Sequence, residues 1–324
     1  MTHVILGIDT SCYTTSVALI SVETGLCINQ KQKLLQTEQG ERGLRQSTAL
    51  FFHIQNLPGL IEELFDETPA VTLAAVCAST TPRPVEGSYM PVFEAAQSVG
   101  RSIAAACKVP FYSTTHQENH IAAALDKTEL SSPFMALHLS GGTTELLKVC
   151  AHPKGYSIDI LSATLDISFG QLIDRIGVKL GFAFPAGSAL EQAVQNEEPS
   201  PLCPPVKLYR NAVSLSGAEK QFLDLCENHS PQEIAPALFQ YTAALLEKWI
   251  LTHLSDFPCQ NVLLAGGVAS NRIVKKILEN AKSLQPVRLH FAPPALCRDN
   301  AVGTAKIGLW QHQLHKGDIP CRKP

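Results

Sequence analysis

Residues His3–Asp9 (HVILGID) form a nearly continuous apolar run, the pattern of a strand buried on both faces. A polar turn, Thr10–Thr15 (TSCYTT), leads into Ser16–Val22 (SVALISV), so the chain is predicted to open with a hairpin. Leu50, Phe51, Ile54, Leu57, Ile61 and Leu64 recur at helical spacing across Ser47–Glu67, with Pro58 expected to kink or split that helix. A strand is predicted at Val71–Ser79, a helix at Met90–Lys108, a strand at Val109–Thr114, and a further helix from Thr115 onward.

Near residue 133 the pattern restarts. Phe134–Ser140, a small turn, and Glu145–Cys150 repeat the strand–turn–strand plan of the N-terminus. An amphipathic helix follows at Ser168–Leu180, then a strand at Gln260–Val268, a helix from Ala269, a strand at Val287–Pro293, and a last helix near Asn300–Leu314. The repetition is weak in residue identity and clear in plan. It predicts two α/β lobes, 1–131 and 132–324, with a cleft between them and the last helix packing back on the first lobe. The Pro-ending tail His315–Pro324 reads as loosely held.

Composition narrows the class. The 324 residues are enough for two domains, and 45% hydrophobic with 17% charged residues is ordinary globular content. A net charge of −3 carries no global basic signature, so a nucleic acid would have to meet a local patch or a partner protein. Ten cysteines are scattered without a CxxC pair, and no signal-peptide pattern opens the chain. Reduced thiols in a cytoplasmic protein are expected, with no membrane span.

Two turns suit a nucleotide. Leu139–Glu145 (LSGGTTE) lies between two strands, where Gly141 and Gly142 let backbone N–H groups approach an anion and Ser140 and Thr143 add hydroxyls; a plain hairpin turn is the alternative. Leu263–Arg272 (LLAGGVASNR) carries a strand through Gly266 and Gly267 into a helix start bearing Ser270 and Asn271, which suits a ribose, an adenine edge or a phosphate. Its alternative is glycine required for packing alone. Neither stretch is a P-loop or a GxGxxG fingerprint. Asp174 lies off the apolar stripe Phe169, Leu172, Ile173, Ile176 and Leu180; it is either a solvated face residue or, with the turn at Gly187, a ribose ligand.

His116 and His120 stand four residues apart, so one helical face can present both imidazoles to one ion. The stretch is not a zincin motif, because Gln117 rather than Glu follows the first histidine. Asp299, just ahead of the last helix, is either an ordinary helix cap or a third ligand. His53, on the first long helix, reads as a packing or capping residue.

Together these stretches resemble the TsaD family (also called Gcp or YgjD), over nearly the whole chain. The resemblance rests on LGIDTSCYTTSVAL, His116/His120, SGGTTEL at Ser140–Leu146, GQLIDRIGVKLGF, SLSG at Ser214–Gly217, AGGVASN at Ala265–Asn271 and LCRDNAVGTAKIGL, in that order. It implies the two-lobed actin/hexokinase/Hsp70-like (ASKHA) fold with duplicated mixed-sheet subdomains. It also implies an acyltransferase that moves a threonylcarbamoyl group from threonylcarbamoyl-AMP to N6 of adenosine 37 in tRNA. One divalent metal, iron or zinc, is implied at His116, His120 and Asp299. Adenylate contacts (threonylcarbamoyl-AMP, or ATP/AMP) are implied at Leu139, Ser140, Gly141, Gly142, Thr143, Asp174, Gly187, Gly266, Gly267 and Asn271. Implied partners are tRNA and helper proteins of the threonylcarbamoyl pathway, or a second copy of the chain.

The chain also departs from the family. Where the family reads CDET, Tyr13 and Thr14 replace both acids, which leaves the catalytic residues unassigned and Asp9 as the candidate carboxylate. Thr143 replaces the histidine of SGGHTEL, Pro82–Phe93 replaces a glycine-rich loop, and Glu219 replaces the lysine of SGLK. A second reading is therefore a divergent paralogue that binds metal and nucleotide as a scaffold or sensor, or that serves another acceptor. The family's old protease label is disfavoured, since HQENH lacks the protease glutamate.

Overall fold

The duplication predicted from the patterning is realised strand for strand. The computed structural model describes residues 1–11, 13–35, 44–68, 70–125, 130, 132–195 and 198–317. Its strands are β1 (Thr2–Asp9), β2 (Thr14–Ser21), β3 (Cys27–Leu34), β4 (Val71–Thr81), β5 (Phe111–Thr115), β6 (Phe134–Leu139), β7 (Thr144–His152), β8 (Gly155–Ala163), β9 (Asn261–Ala265) and β10 (Arg288–Phe291). One sheet runs β3-β2-β1-β4-β5 and the other β8-β7-β6-β9-β10, the same order in both. In each, the opening hairpin is antiparallel, while the strands on its other side pair in parallel. β1 is central in its sheet and buried from Val4 to Asp9, as a continuous apolar run requires.

The helices are α1 (Gln46–Asp66), α2 (Phe93–Cys107), α3 (His116–Ala124), α4 (Phe169–Lys179), α5 (Gly187–Ala193), α6 (Ser216–Leu225), α7 (Pro231–Leu254), α8 (Arg272–Asn280) and α9 (Val302–Lys316). α1 runs through Pro58 as one helix. Proline removes the bond to the carbonyl of residue 54, but Ile54 and Pro58 both lie on the exposed face, where water can satisfy that oxygen. The helix predicted from Ala269 starts later: Asn271 adopts extended backbone and caps α8, accepting the N–H groups of Ile273 and Val274.

The chain divides into two units. One contains Met1–Glu129, Cys150–Ile158 and Arg298–Pro324; the other contains Leu130–Val149 and Asp159–Cys297. The first is built on β1–β5, with α9 against β1 and β4. Its core joins Val4, Leu6, Ile8, Val17 and Leu19 to Leu57 and Leu64 of α1. The second is built around α7, whose Leu238, Phe239, Leu245 and Trp249 are wholly buried. Residues 318–324, which make up most of the predicted loose tail, and Cys12 of the first turn lie outside the described residues. Among the described residues, no helix is long and apolar enough to cross a membrane.

Candidate metal centre and nucleotide turns

α3 begins on His116 because Thr115 and Glu118 form a reciprocal cap. The Thr115 hydroxyl accepts the Glu118 N–H at 3.2 Å, and the Glu118 carboxylate accepts the Thr115 N–H at 3.1 Å. The same carboxylate accepts the Thr114 hydroxyl and, through its other oxygen, the Tyr156 N–H at 3.0 Å. The T-x-x-E spacing announces this cap in the sequence. With the helix start fixed, His116 and His120 share one face. Their Nε2 atoms stand 2.9 Å apart.

Asp299 meets that pair. Its Oδ1 lies 3.3 Å from His120 Nε2 and 3.7 Å from His116 Nε2. It is not the cap of α9: Asn300 Oδ1 takes the Val302 N–H at 2.9 Å, which leaves the Asp299 carboxylate to the histidines. Two nitrogens and an oxygen on a tetrahedral ion with bonds of about 2.0–2.2 Å would lie ~3.3 Å from one another. The three observed separations bracket that value, and the donor set has the composition of a two-His, one-carboxylate site. These residues fit a divalent transition metal with positions left for substrate.

Behind the triad sits Asp9, wholly buried, with Oδ1 3.2 Å from His116 Nδ1. Its Oδ2 accepts the Ser11 hydroxyl at 2.5 Å and the Ser11 N–H at 3.3 Å, and Ser79 adds another hydrogen bond. Burial alone would raise the Asp9 carboxyl; the His116 charge and these bonds outweigh it and hold the group at about 2. Burial likewise works against a charged His116, but the Asp9 carboxylate, helped by Asp299, lifts the imidazole above its ordinary range. Asp9 therefore holds His116 by Nδ1 and turns Nε2 toward His120 and Asp299. The Phe93 ring lies 6.1 Å from the His116 ring. Thr14 is buried, and Tyr13, half-exposed at the β1–β2 turn, completes the set of substituted acid positions. His53 is buried on α1 with Nδ1 2.8 Å from the Thr15 hydroxyl, a packing position.

The nucleotide candidates fall in the second unit. Gly141 and Gly142 form an exposed two-residue loop closed by Ser140, whose N–H and hydroxyl both donate to the Thr143 carbonyl at 2.9 and 3.1 Å. Space beside both glycines is open. The turn after β9 lies against this one: the Val268 N–H donates to the Leu139 carbonyl, and Gly266, at φ +104°, approaches so closely that a Cβ would sit 2.3 Å from that oxygen. α4 packs on the same loop, with the Ser168 hydroxyl on the Gly141 carbonyl at 2.7 Å. Leu139–Thr143, Gly266 and Gly267 are thus one cluster.

Asp174 and Gly187 form another, about one helical turn further along α4 from Gly170, which touches Gly141. Asp174 Oδ1 accepts the Ala186 N–H at 2.8 Å, and the Gly187 N–H also bonds the carboxylate. Burial raises this carboxyl despite those donors. Asn271 gives its Oδ1 to the α8 cap, so its amide N–H groups are what it can offer a ligand. Asp166, absent from the sequence-predicted set, accepts from the Leu215 N–H, the Ser216 N–H and the Ser214 hydroxyl. It caps α6, which lacks a cap residue of its own, and so fixes the SLSG stretch; no local spacing rule announces a cap that comes from so far away.

Comparisons with known proteins identify the family and the fold. The family model described as tRNA N6-adenosine threonylcarbamoyltransferase, TsaD, matches residues 27–306. A protein of that name from Thermus thermophilus is 31% identical over 314 residues, 95% of this chain and 93% of that protein. Its namesake from Thermotoga neapolitana is 28% identical over 94% of this chain and 93% of its own length. Among solved structures, full-length HypF in a phosphate- and nucleotide-bound form aligns with a TM-score of 0.59 at 12% identity, over 98% of this chain and 47% of that one. The activator of 2-hydroxyisocaproyl-CoA dehydratase from Clostridium difficile aligns with a TM-score of 0.54 at 12% identity, over 99% of this chain and all of that one. These likenesses carry the fold, which is of the actin/hexokinase/Hsp70-like (ASKHA) type. Matched across most of its length by both the family model and full-length relatives, the chain belongs to the TsaD family of tRNA N6-adenosine threonylcarbamoyltransferases.

Proposed function

We infer that the chain is a threonylcarbamoyltransferase that modifies tRNA, taking the group from threonylcarbamoyl-AMP and delivering it to the N6 amine of adenosine 37. The observation that carries the reading is the convergence of His116, His120 and Asp299 in a chain of this family. A bond forms between N6 and the carbamoyl carbon, the bond from that carbon to the phosphate oxygen breaks, AMP leaves with the bonding electron pair, and N6 gives up one proton to solvent. His116, His120 and Asp299 would hold one divalent iron or zinc ion. When bound, that ion supplies a Lewis acid with open positions for the threonyl or carbamoyl oxygens. Asp9 keeps His116 in the tautomer that presents Nε2 to the ion.

In the second unit, the Gly141 and Gly142 loop and the Gly267 turn would offer backbone N–H groups to the adenylate phosphate. Asp174 and Gly187 would meet the ribose, and Asn271 the nucleoside. The remaining work is orientation and charge stabilisation. Helper proteins of the pathway, or a second copy of the chain, are the proposed partners.

The test is direct: purified protein, threonylcarbamoyl-AMP and tRNA, alone and with helper proteins, followed by mass spectrometry of the digested nucleosides. Threonylcarbamoyladenosine is the expected product. Metal and adenylate binding without product under every helper combination would replace this reading with the scaffold, which the absence of acids at Tyr13 and Thr14 favours. Complementation of a strain depleted of its own transferase gives the same answer in a cell.

A further inference from the structure

Asn119 stands between the two histidines on α3 and is wholly buried. Asparagine is a poor helix-interior residue because its amide competes for backbone groups, so its place here calls for a partner outside the helix. It has two. Nδ2 donates to the main-chain oxygen of Asn300 at 2.5 Å, and Oδ1 accepts the Thr304 N–H at 2.8 Å. Both partners flank the start of α9, and the first is the residue next to Asp299.

The two elements meet main chain to main chain at this level: a Cβ on Gly303 would lie 1.9 Å from the Asn119 carbonyl oxygen. The bonds continue beyond Asn119. The Thr304 hydroxyl lies 2.9 Å from that of Ser79, Ser79 bonds Asp9, and Asp9 holds His116 Nδ1. The histidines ride on the same helical turn as Asn119, so a tether from that residue to Asn300 leaves Asp299 little but its own side-chain torsions to adjust.

Resting on the metal reading above, we propose that Asn119 is a positioning residue of the metal centre: it sets the Asp299 carboxylate at ligand distance from the histidine pair. Without the tether, the two histidines remain a pre-arranged pair, and the carboxylate joins them only after the loop at Asn300 has been ordered by the ion itself. The effect is one of preorganisation.

The experiment titrates full-length metal-free protein with Co²⁺ and follows its visible d–d absorption, with wild type, Asn119→Ala, Asp299→Ala and the double variant. Alanine preserves the helix, and circular dichroism of the metal-free proteins confirms folding. Asn119→Ala is expected to weaken Co²⁺ binding by about 10- to 100-fold and to shift its spectrum toward that of Asp299→Ala. In the Asp299→Ala background the same change should have little further effect, because the tether acts through that carboxylate. A merely structural role predicts equal losses in both backgrounds, and that result overturns the proposal. So does Co²⁺ affinity within about twofold of wild type. If wild type itself binds no Co²⁺, the metal reading falls and this one with it; binding by wild type with an unchanged Asn119→Ala removes this one alone. Should Asn119→Ala not fold, Asn119→Ser, which keeps a small polar group there, carries the same comparison.

Discussion

Asp9 Oδ1 faces His116 Nδ1 at 3.2 Å, and the other Asp9 oxygen is fixed by Ser11, so the carboxylate orients an imidazole. Asp9→Asn keeps the shape and removes the charge that stabilises the Nδ1–H. The expected outcome is a fall of about 10- to 100-fold in divalent metal affinity, measured by Co²⁺ or Zn²⁺ titration, with secondary structure retained. Unchanged affinity would show that metal binding does not depend on Asp9 holding His116 by Nδ1.

The triad itself is tested by metal content. Wild type purified without chelator should carry about one divalent ion per chain, and His120→Ala or Asp299→Ala should lose it. Elemental analysis by plasma mass spectrometry decides the matter. Equal metal in Asp299→Ala would remove that residue from the ligand set.

The Asp9–His116 pair also sets a pH dependence. Asp9 has a depressed value of about 2 against an ordinary 3.8, so its contribution to metal-free stability is complete above 3.8 and is lost as pH falls toward 2. His116 is raised above its ordinary 6.5, so its contribution is complete below 6.5 and is lost as pH rises through the raised value. Metal-free protein should therefore lose stability on the alkaline side of 6.5. Metal binding needs the neutral imidazole, so affinity should strengthen across that same window. Urea midpoints against pH, for wild type and His116→Gln, are the measurement. An alkaline decline of the same size in His116→Gln would show that the pair is not its source.

What the sequence disclosed depended on local periodicity. β1 was legible because a central strand is apolar on both faces, and the restart at β6 was legible because the duplication repeats that run. α7 carries only a weak period: Leu238, Phe239, Leu245 and Trp249 are buried, and its one partly exposed stripe mixes Gln240, Glu247, Lys248 and Thr252 with apolar Ala244 and Leu251, so polarity marks the repeat poorly. β3 (CINQKQKL) is a polar edge strand, with few residues of high strand propensity. The histidine pair follows from helical spacing alone. That Asp299 faces the histidines rather than capping α9 depends on Asn300 taking the Val302 N–H, and the bonds of Asn119 and Asp9 join chain segments far apart in sequence.

The nucleotide turns give a steric prediction. A Cβ on Gly170 would lie 2.5 Å from the Gly141 Cα, and one on Gly266 would lie 2.3 Å from the Leu139 oxygen at a positive φ. Both contacts are with backbone, so neither is relieved by a side-chain rotation. Gly170→Ala and Gly266→Ala should each cost about 1–3 kcal/mol of stability. They should also weaken AMP binding in calorimetry while leaving metal content intact, because the triad lies in the other unit. Full AMP affinity in both variants would place the nucleotide elsewhere.

The substituted acids at the β1–β2 turn are the remaining lever on activity. Tyr13 is 41% exposed and Thr14 is 9% exposed, so the two positions tolerate charge differently. Tyr13→Asp places a carboxylate in water and should change stability by no more than about 0.5 kcal/mol. Thr14→Glu buries a charge with no partner provided and should destabilise by several times that amount. If proton removal from the attacking amine limits transfer, Tyr13→Asp should raise the rate of threonylcarbamoyladenosine formation by at least about tenfold, toward the range ascribed to a positioned general base. Single-turnover kinetics with saturating tRNA and threonylcarbamoyl-AMP measure it. An unchanged rate would mean that this chain transfers without an acid at the turn, and that the amine loses its proton to solvent or to another group.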